Sequence, residues 1–548
     1  MKIKQICMLV LLWLGVIPAV QAQTFDKLWK QVEQAEKKSL PQTVIKLTGE
    51  IYQKGEAEKN SPQMLKAYMW RMKYRDMLTP DSLYTNVKEL EQWAKLADKP
   101  MDRAILHSLI AGIYANYAAN NQWQLRQRTE IVGEAPSADM REWTANMFVE
   151  KVRTSIKEAM ADSVLLLNTS SRTYIPFVEL GETSEYYHHD MYHLLAFRSI
   201  EALQQIEGLD RATPVEAYSE DTSSKKQSPV KQDIERIYEN MLTSYKAKGD
   251  KEGCLLTNLN YLSWKRDSSK SFREPFSVKK GGTYMMTVDP YETGLDALKT
   301  EYKSSDLCAE VYLAQANYMI GKEQQTVALQ LCDEAIRLYP GYRRINALKN
   351  LREDILSPSL NVTAAATVFP GEEIKIRASH KNLDGFTLRL FQAKKLIKEQ
   401  HFAVLRPEDY RTQDTVFTFQ APEVGEYVMR IIPDIRAKRD SESKFNVTRF
   451  KALTCRLPGN QYEVVTLDGQ TGHPIPNAKV TLYTNDEKLL QEFTTGTDGK
   501  VVFPWKSDYR YLKAAKGADT AMPLQGVYGG SYGYYGDENK ASEQMTLL

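Results

Sequence analysis

Cysteine is scarce in this chain, with five residues in 548. A secreted scaffold held together by disulfides carries a far higher share, so the fold has to rest on apolar cores. Histidine is nearly as scarce, at seven. No Ser-His-Asp arrangement stands out, and no glycine pair has the spacing of a phosphate-binding loop. An excess of either charge is also lacking, since 72 Lys+Arg face 70 Asp+Glu, which argues against nucleic acid as a main partner. Beyond the first two dozen residues, no apolar run approaches the roughly 20 residues that span a bilayer. These absences point away from an enzyme and from a bound cofactor.

What is present begins at the N-terminus. Lys2 and Lys4 precede an apolar run, Ile6–Ile17, and Val20-Gln21-Ala22 places small residues where a signal peptidase reads them. The run is too short to be a membrane anchor, and Cys7 lies inside it, away from the cleavage point. The expectation is cleavage between Ala22 and Gln23, leaving an exported protein that is periplasmic or associated with the cell surface.

Apolar periodicity changes near residue 357. Before it the spacing is helical: Phe25, Leu28, Val32 and Ala35 share one face, and Val44, Leu47 and Ile51 another. Ser61-Pro62 reads as an N-cap followed by proline at the first helical position, ahead of Leu65, Tyr68 and Met72. Lys54-Gly55, Asp98-Lys99-Pro100 and Lys248-Gly249-Asp250 read as breaks. Short helices joined by tight turns predict antiparallel hairpins stacked into a solenoid. Ala309–Pro340 resembles a tetratricopeptide repeat, with Tyr312 at its bulky position and Ala316, Ala328, Cys332 and Ala335 at its small ones. Two polar or irregular stretches, 212–231 and 268–291, read as loops.

After Pro358 the period becomes two. Ile374, Ile376 and Ala378 alternate with polar residues, as do Phe386, Leu388 and Leu390, then Tyr427, Met429 and Ile431. Several short strands without intervening helices predict an antiparallel β-sandwich over 358–455. A second sandwich is expected over 456–525, with turns at Asp468–Gly472 and at Thr497-Asp498-Gly499-Lys500. Its pattern D-x-x-T-G-x-P-I-x-x-A-x-V followed by T-D-G-x-V-x-F resembles the seven-stranded sandwiches of extracellular bacterial proteins and of macroglobulins.

The order of parts adds to that likeness. A signal peptide (1–22), a helical repeat region (23–357), tandem sandwiches and a Gly/Tyr-rich end (526–548) together resemble the N-terminal part of a bacterial alpha-2-macroglobulin family protein of the Bacteroidetes type. The resemblance implies a non-enzymatic endopeptidase inhibitor that traps proteases, with proteases or cell-envelope proteins as partners. The family's thioester segment, Cys-x-Glu-Gln, is absent: Cys254, Cys308, Cys332 and Cys455 are followed by Leu-Leu-Thr, Ala-Glu-Val, Asp-Glu-Ala and Arg-Leu-Pro. Ser542–Leu548 reads as the start of a strand without its partner, so a truncated chain is expected. The alternative is a stand-alone module binding an envelope protein or glycan.

Two segments carry candidate site residues. In Tyr186–His193 (YYHHDMYH), a helix would put His189 and His193 on one face, as a zinc-binding pair requires, with Asp190 where a metalloprotease has its glutamate. A metal-dependent hydrolase is the remote reading of this segment; histidines packed among tyrosines is the plainer one. In Gly526–Gly536 (GVYGGSYGYYG), Tyr528, Tyr532, Tyr534 and Tyr535 form either a contact loop for a glycan or peptide, or a linker.

Overall fold

A computed structural model describes residues 24–526, except 80–81, 129–136, 138, 182–183, 185, 210–227, 270–271, 273–274, 281–283, 436–440 and 518. The expected signal cleavage at Ala22 and Gln23, and the tyrosines at 528, 532, 534 and 535, therefore lie outside the described residues. Among the described residues the order is α then β: 15 α-helices lie between Phe25 and Leu356, and all strands but one hairpin lie from Ser359 onward. The chain forms two compact units that divide after Lys303.

In the first unit, helix boundaries follow the capping chemistry. Asn60, Asp162, Asp190, Ser228, Asp250 and Asp289 each accept a backbone N–H of the following first turn through their side chains. Proline opens helices Pro41–Ala57, Pro100–Asn120, Pro229–Lys248 and Pro290–Tyr302, where its missing N–H costs nothing. Gly249, at φ +66°, ends helix Pro229–Lys248. Leu28, Val32, Ala35, Val44 and Ile51 form one buried cluster with Ala67, as the periodicity requires.

Four expectations are corrected here. The cap of helix Ser61–Leu78 is Asn60, one residue before Ser61, because the Ser61 hydroxyl is engaged by a distant carboxylate. Lys54-Gly55 is not a break: helix Pro41–Ala57 runs through it, and Gly55 is where Met64 packs, so that a Cβ would lie 2.8 Å from Met64 Cγ. The stretch 268–291 is not all loop. It contains an antiparallel hairpin, β1 (Phe276–Lys280) with β2 (Tyr284–Val288), in register Phe276↔Val288, and then helix Pro290–Tyr302 capped by Asp289. Five-residue strands are too short for alternation to stand out. Of 212–231, residues 228–231 cap and open helix Pro229–Lys248, and 212–227 lie outside the described residues.

The second unit opens with helices Ala309–Gly321, Gln325–Leu338 and Ile345–Leu356. Ala316, Ala328, Cys332 and Ala335 are fully buried, so small side chains let the first two helices approach closely. Among the described residues fifteen strands follow, in two groups. The first comprises β3 (Ser359–Ala364), β4 (Thr367–Val368), β5 (Glu373–Lys381), β6 (Gly385–Gln392), β7 (Lys395–Ala403), β8 (Gln413–Gln420), β9 (Gly425–Pro433) and β10 (Ser441–Val447). They form sheets of order β3-β5-β8 and β4-β10-β9-β6-β7. One core joins Ile374, Ile376, Ala378 and Phe419 of the first sheet to Phe386, Leu388, Leu390, Tyr427, Met429 and Ile431 of the second. The pairing is not wholly antiparallel, because β4 joins β10 in parallel; the chain passes from β3 in one sheet to β4 in the other within two residues, which fixes its direction.

The second group comprises β11 (Phe450–Leu457), β12 (Gln461–Asp468), β13 (Lys479–Tyr483), β14 (Leu489–Thr494), β15 (Lys500–Pro504), β16 (Tyr511–Lys516) and β17 (Asp519–Gly526). Cys455 thus lies within a strand that begins at Phe450. The sheets β11-β12-β15 and β14-β13-β16-β17 enclose Val464, Val480, Leu482, Phe503, Tyr509 and Leu512. Asp468 Oδ1 accepts from the backbone N–H of Gln470 and of Thr471 and from the Thr471 hydroxyl, at 2.8–3.1 Å. Gly499 sits at φ +72°, and a Cβ there would lie 2.6 Å from the Thr466 carbonyl oxygen. Gly499→Ala is expected to lower stability by about 1–3 kcal/mol; urea unfolding of the two proteins measures it, and an unchanged midpoint would contradict the turn geometry.

Candidate functional site

The segment singled out in the sequence folds as a structural knot around Asp190. Its side chain caps helix Met191–Ile206 by accepting the His193 backbone N–H at 3.0 Å, and the same carboxylate receives His193 Nδ1 at 2.8 Å and Lys248 Nζ at 2.6 Å. His193 is fully buried, its ring stacked on Tyr245 at 3.7 Å between centroids. Burial works against the charged Asp190, but the hydrogen bonds from His193 and Lys248 outweigh it and hold the carboxyl down at about 2.

His189 is placed differently from expectation. It precedes the cap, outside the helix and exposed, and its carbonyl accepts the Ser171 N–H at 2.9 Å. His189 and His193 therefore do not share a helix face, because Asp190 between them is the point at which the helix starts. Among the described residues no group of three or more His, Cys, Asp or Glu is arranged to hold a metal ion. His188 is the residue that sequence reading passed over. Held at φ +58°, its ring packs between Tyr187 and Phe197, and neither ring nitrogen has a hydrogen-bond partner. Burial pushes its pKa down to about 3.

A second buried polar node was invisible in sequence. Asp102, on helix Pro100–Asn120, accepts the Ser61 hydroxyl at 2.6 Å and the Tyr174 hydroxyl at 2.7 Å. Lys99 Nζ donates to Ser61 Oγ at 2.9 Å and to the Lys59 carbonyl at 3.0 Å. The serine proton is directed at the carboxylate and the lysine is itself a donor, so the arrangement ties three segments together and does not activate a nucleophile. The partners lie 41 and 72 residues from Asp102, and no local pattern announces them. The node lies in the wall of a concavity of about 920 Å³, whose other lining includes Tyr52 and Trp93.

The cysteines divide by exposure. Cys254, Cys308 and Cys332 are buried, whereas Cys455 is exposed on β11. Burial pushes the Cys332 thiol up to about 11 and raises Cys254 as well. In the native protein at neutral pH, a thiol reagent is expected to label Cys455 within minutes and the other three only on unfolding; rapid labelling of four thiols would contradict the packing.

Unit one also holds a groove of about 730 Å³ between helix Pro100–Asn120 and helix Met191–Ile206. Its lining is rich in amides: Asn116, Asn120 and Asn121 from one side, Gln204 and Gln205 from the other. Among the described residues the only charges in the lining, Arg198 and Glu201, pair with each other at 2.8 Å. Among the described residues, no helix is long and apolar enough to cross a membrane.

No family model matches the chain, and no curated protein matches it. Among solved structures, it is similar to native alpha-2-macroglobulin from Escherichia coli spanning domains MG0-NIE-MG1, at 15% identity and a TM-score of 0.27. That match covers 31% of this chain and 64% of the other, so the chain spans less than two thirds of that structure's length. A shorter fragment of the same protein, spanning NIE-MG1, is 15% identical, with a TM-score of 0.25, covering 31% of this chain and 98% of that one. The CARDB domain of a Pyrococcus furiosus protein is 12% identical at a TM-score of 0.13, covering 17% and 94%. Each of these overlaps concerns a minor part of the chain.

Proposed function

We propose that this chain is an exported, non-enzymatic scaffold forming the N-terminal portion of a macroglobulin-like endopeptidase inhibitor. In this reading the helical hairpins form a solenoid that offers a protein-binding surface, and the two β groups are macroglobulin-like sandwiches. The observation that carries it is the second β group: seven strands in sheets of three and four around one core, with the D-x-x-T-G-x-P-I-x-x-A-x-V segment making the Asp468 turn and passing under Gly499. Its partners are proteases or cell-envelope proteins. The balanced charge supports protein over nucleic acid.

The test uses the protein expressed from its own gene and recovered from the cell envelope fraction. Mixed with a broad-specificity protease, it is expected to be cleaved and then to shield the protease from large substrates while small chromogenic peptides are still hydrolysed. Unimpaired digestion of large substrates after cleavage would end the reading. A binding module for an envelope glycan or protein is the second reading, favoured by the amide-lined groove of the first unit.

A further inference from the structure

We infer that the groove between helix Pro100–Asn120 and helix Met191–Ile206 is a binding site for a neutral oligosaccharide. The inference deepens the binding-module reading and does not depend on protease trapping. Its size, about 730 Å³, falls within the range of small-ligand sites.

The chemistry of the lining selects the ligand class. A primary amide both donates and accepts, and a sugar hydroxyl does the same, so paired amides suit adjacent hydroxyls or an acetamido group. Asn120 Nδ2 donates to Asn116 Oδ1 at 2.7 Å, which orients both side chains while leaving the Asn116 N–H groups and the Asn120 oxygen for a ligand. Asn121 Nδ2 is fixed on the Tyr117 carbonyl at 2.8 Å, leaving its oxygen. Gln204 and Gln205 are exposed, and the Gln205 carbonyl receives Gln122 Nε2 at 3.4 Å, which joins the two walls at that end. These amides stand on helices, so their spacing is set before a ligand arrives.

Charge and aromatic surface narrow the choice further. Arg198 and Glu201 neutralise each other, so no net charge in the lining selects an acidic or a basic ligand. The aromatic ring in the lining is that of Tyr117, half-buried beside Asn116 and Asn120, and the exposed part of such a ring offers a flat apolar surface that fits the C–H face of a pyranose ring. An extended peptide is the less suited occupant: the walls are helices with no sheet edge to pair with its backbone. Gly112 keeps the groove open, since a Cβ there would meet nothing within 4 Å.

Isothermal titration with tetrasaccharides of N-acetylglucosamine, β-1,4-linked glucose and α-1,4-linked glucose tests the inference. At least one is expected to bind saturably with a Kd below about 1 mM, the weak end of measurable affinity. Asn120→Ala and Gln205→Ala are each expected to weaken it about fivefold or more. Gly112→Leu is the decisive variant, because it projects a branched side chain into the groove between the amide walls, at a helical position that tolerates leucine. It should abolish binding while the thermal unfolding midpoint stays at or above that of the parent. No saturable binding by any of the three sugars would overturn the inference, as would binding that survives Gly112→Leu, or saturable binding of an uncharged hexapeptide in place of the sugars. Loss of sugar binding with protease shielding intact would leave the inhibitor reading standing.

Discussion

Asp190→Ala is expected to lower the unfolding free energy by about 3–5 kcal/mol, the range for removing one partner from a buried charged cluster. The residue is 8% exposed and does three jobs at once. It caps helix Met191–Ile206, accepts His193 Nδ1 and neutralises Lys248. Truncation leaves a fully buried imidazole and an ammonium facing each other with no carboxylate between them. Lys248→Ala should cost less, because the lysine is 42% exposed and water can replace part of what it gives up. Asp190→Asn should fall between the two, keeping the cap and losing the charge. Urea unfolding at pH 7 separates these values; a loss below about 1 kcal/mol for Asp190→Ala would mean that the cluster contributes no more than an ordinary cap. The depressed Asp190 carboxyl adds a pH dependence: its stabilisation is present above pH 4 and is lost as the pH falls towards 2.

The second large effect comes from His188 and sets in at milder acidity. In the unfolded chain the ring takes a proton near pH 6.5, whereas burial, reinforced by His193 and His189 and only partly opposed by Asp190, lowers its folded value to about 3. Between those values the unfolded chain binds more protons than the folded one, so stability falls as the pH falls across that window. Lowering the pH from 7 to 4.5 should remove about 2–3 kcal/mol through this residue alone. The suitable control is His188→Asn. Asparagine tolerates the left-handed backbone at φ +58° and does not titrate in this range. Its unfolding midpoint should change much less between pH 7 and 4.5 than that of the parent. Equal acid sensitivity in both proteins would show that the ring is reached by water or paired in solution.

The sequence was most legible where one side chain pattern answers to one physical cause. Ile374, Ile376 and Ala378 alternate because one face of β5 meets a core, and Leu28, Val32 and Ala35 repeat at helical spacing for the same reason. Turn chemistry was equally readable, as the three hydrogen bonds to Asp468 and the backbone of Gly499 attest. Reading failed where two causes compete at one position. Ser61 is a good cap residue, yet Asp102 claims its hydroxyl from across the unit. Gly55 is a helix breaker in isolation, yet Met64 needs the space. Asp190 was weighed as a stand-in for a catalytic glutamate, when its place before Met191 made it a cap. Recognising that would have removed His189 from the helix and the metal pair with it. The amide groove could not be read at all, because Asn120 and Gln205 meet only through the packing of helices separated by some 70 residues of chain.

One further consequence follows from the joint between the two β groups. Strand β10 ends at Val447 and β11 begins at Phe450, leaving Thr448 and Arg449 between them. Both are pinned from the far end of the fold: Thr448 Oγ1 donates to Asp519 Oδ1, and the Arg449 N–H donates to Asp519 Oδ2 at 3.0 Å. Asn446 Nδ2 donates to the Thr520 carbonyl, and Lys513 Nζ reaches Glu426 at 2.9 Å. A two-residue joint held by these bonds gives a twist of one β group a direct path into the other, so Asp519→Ala is expected to loosen the coupling between them, read as faster amide hydrogen exchange at 446–450.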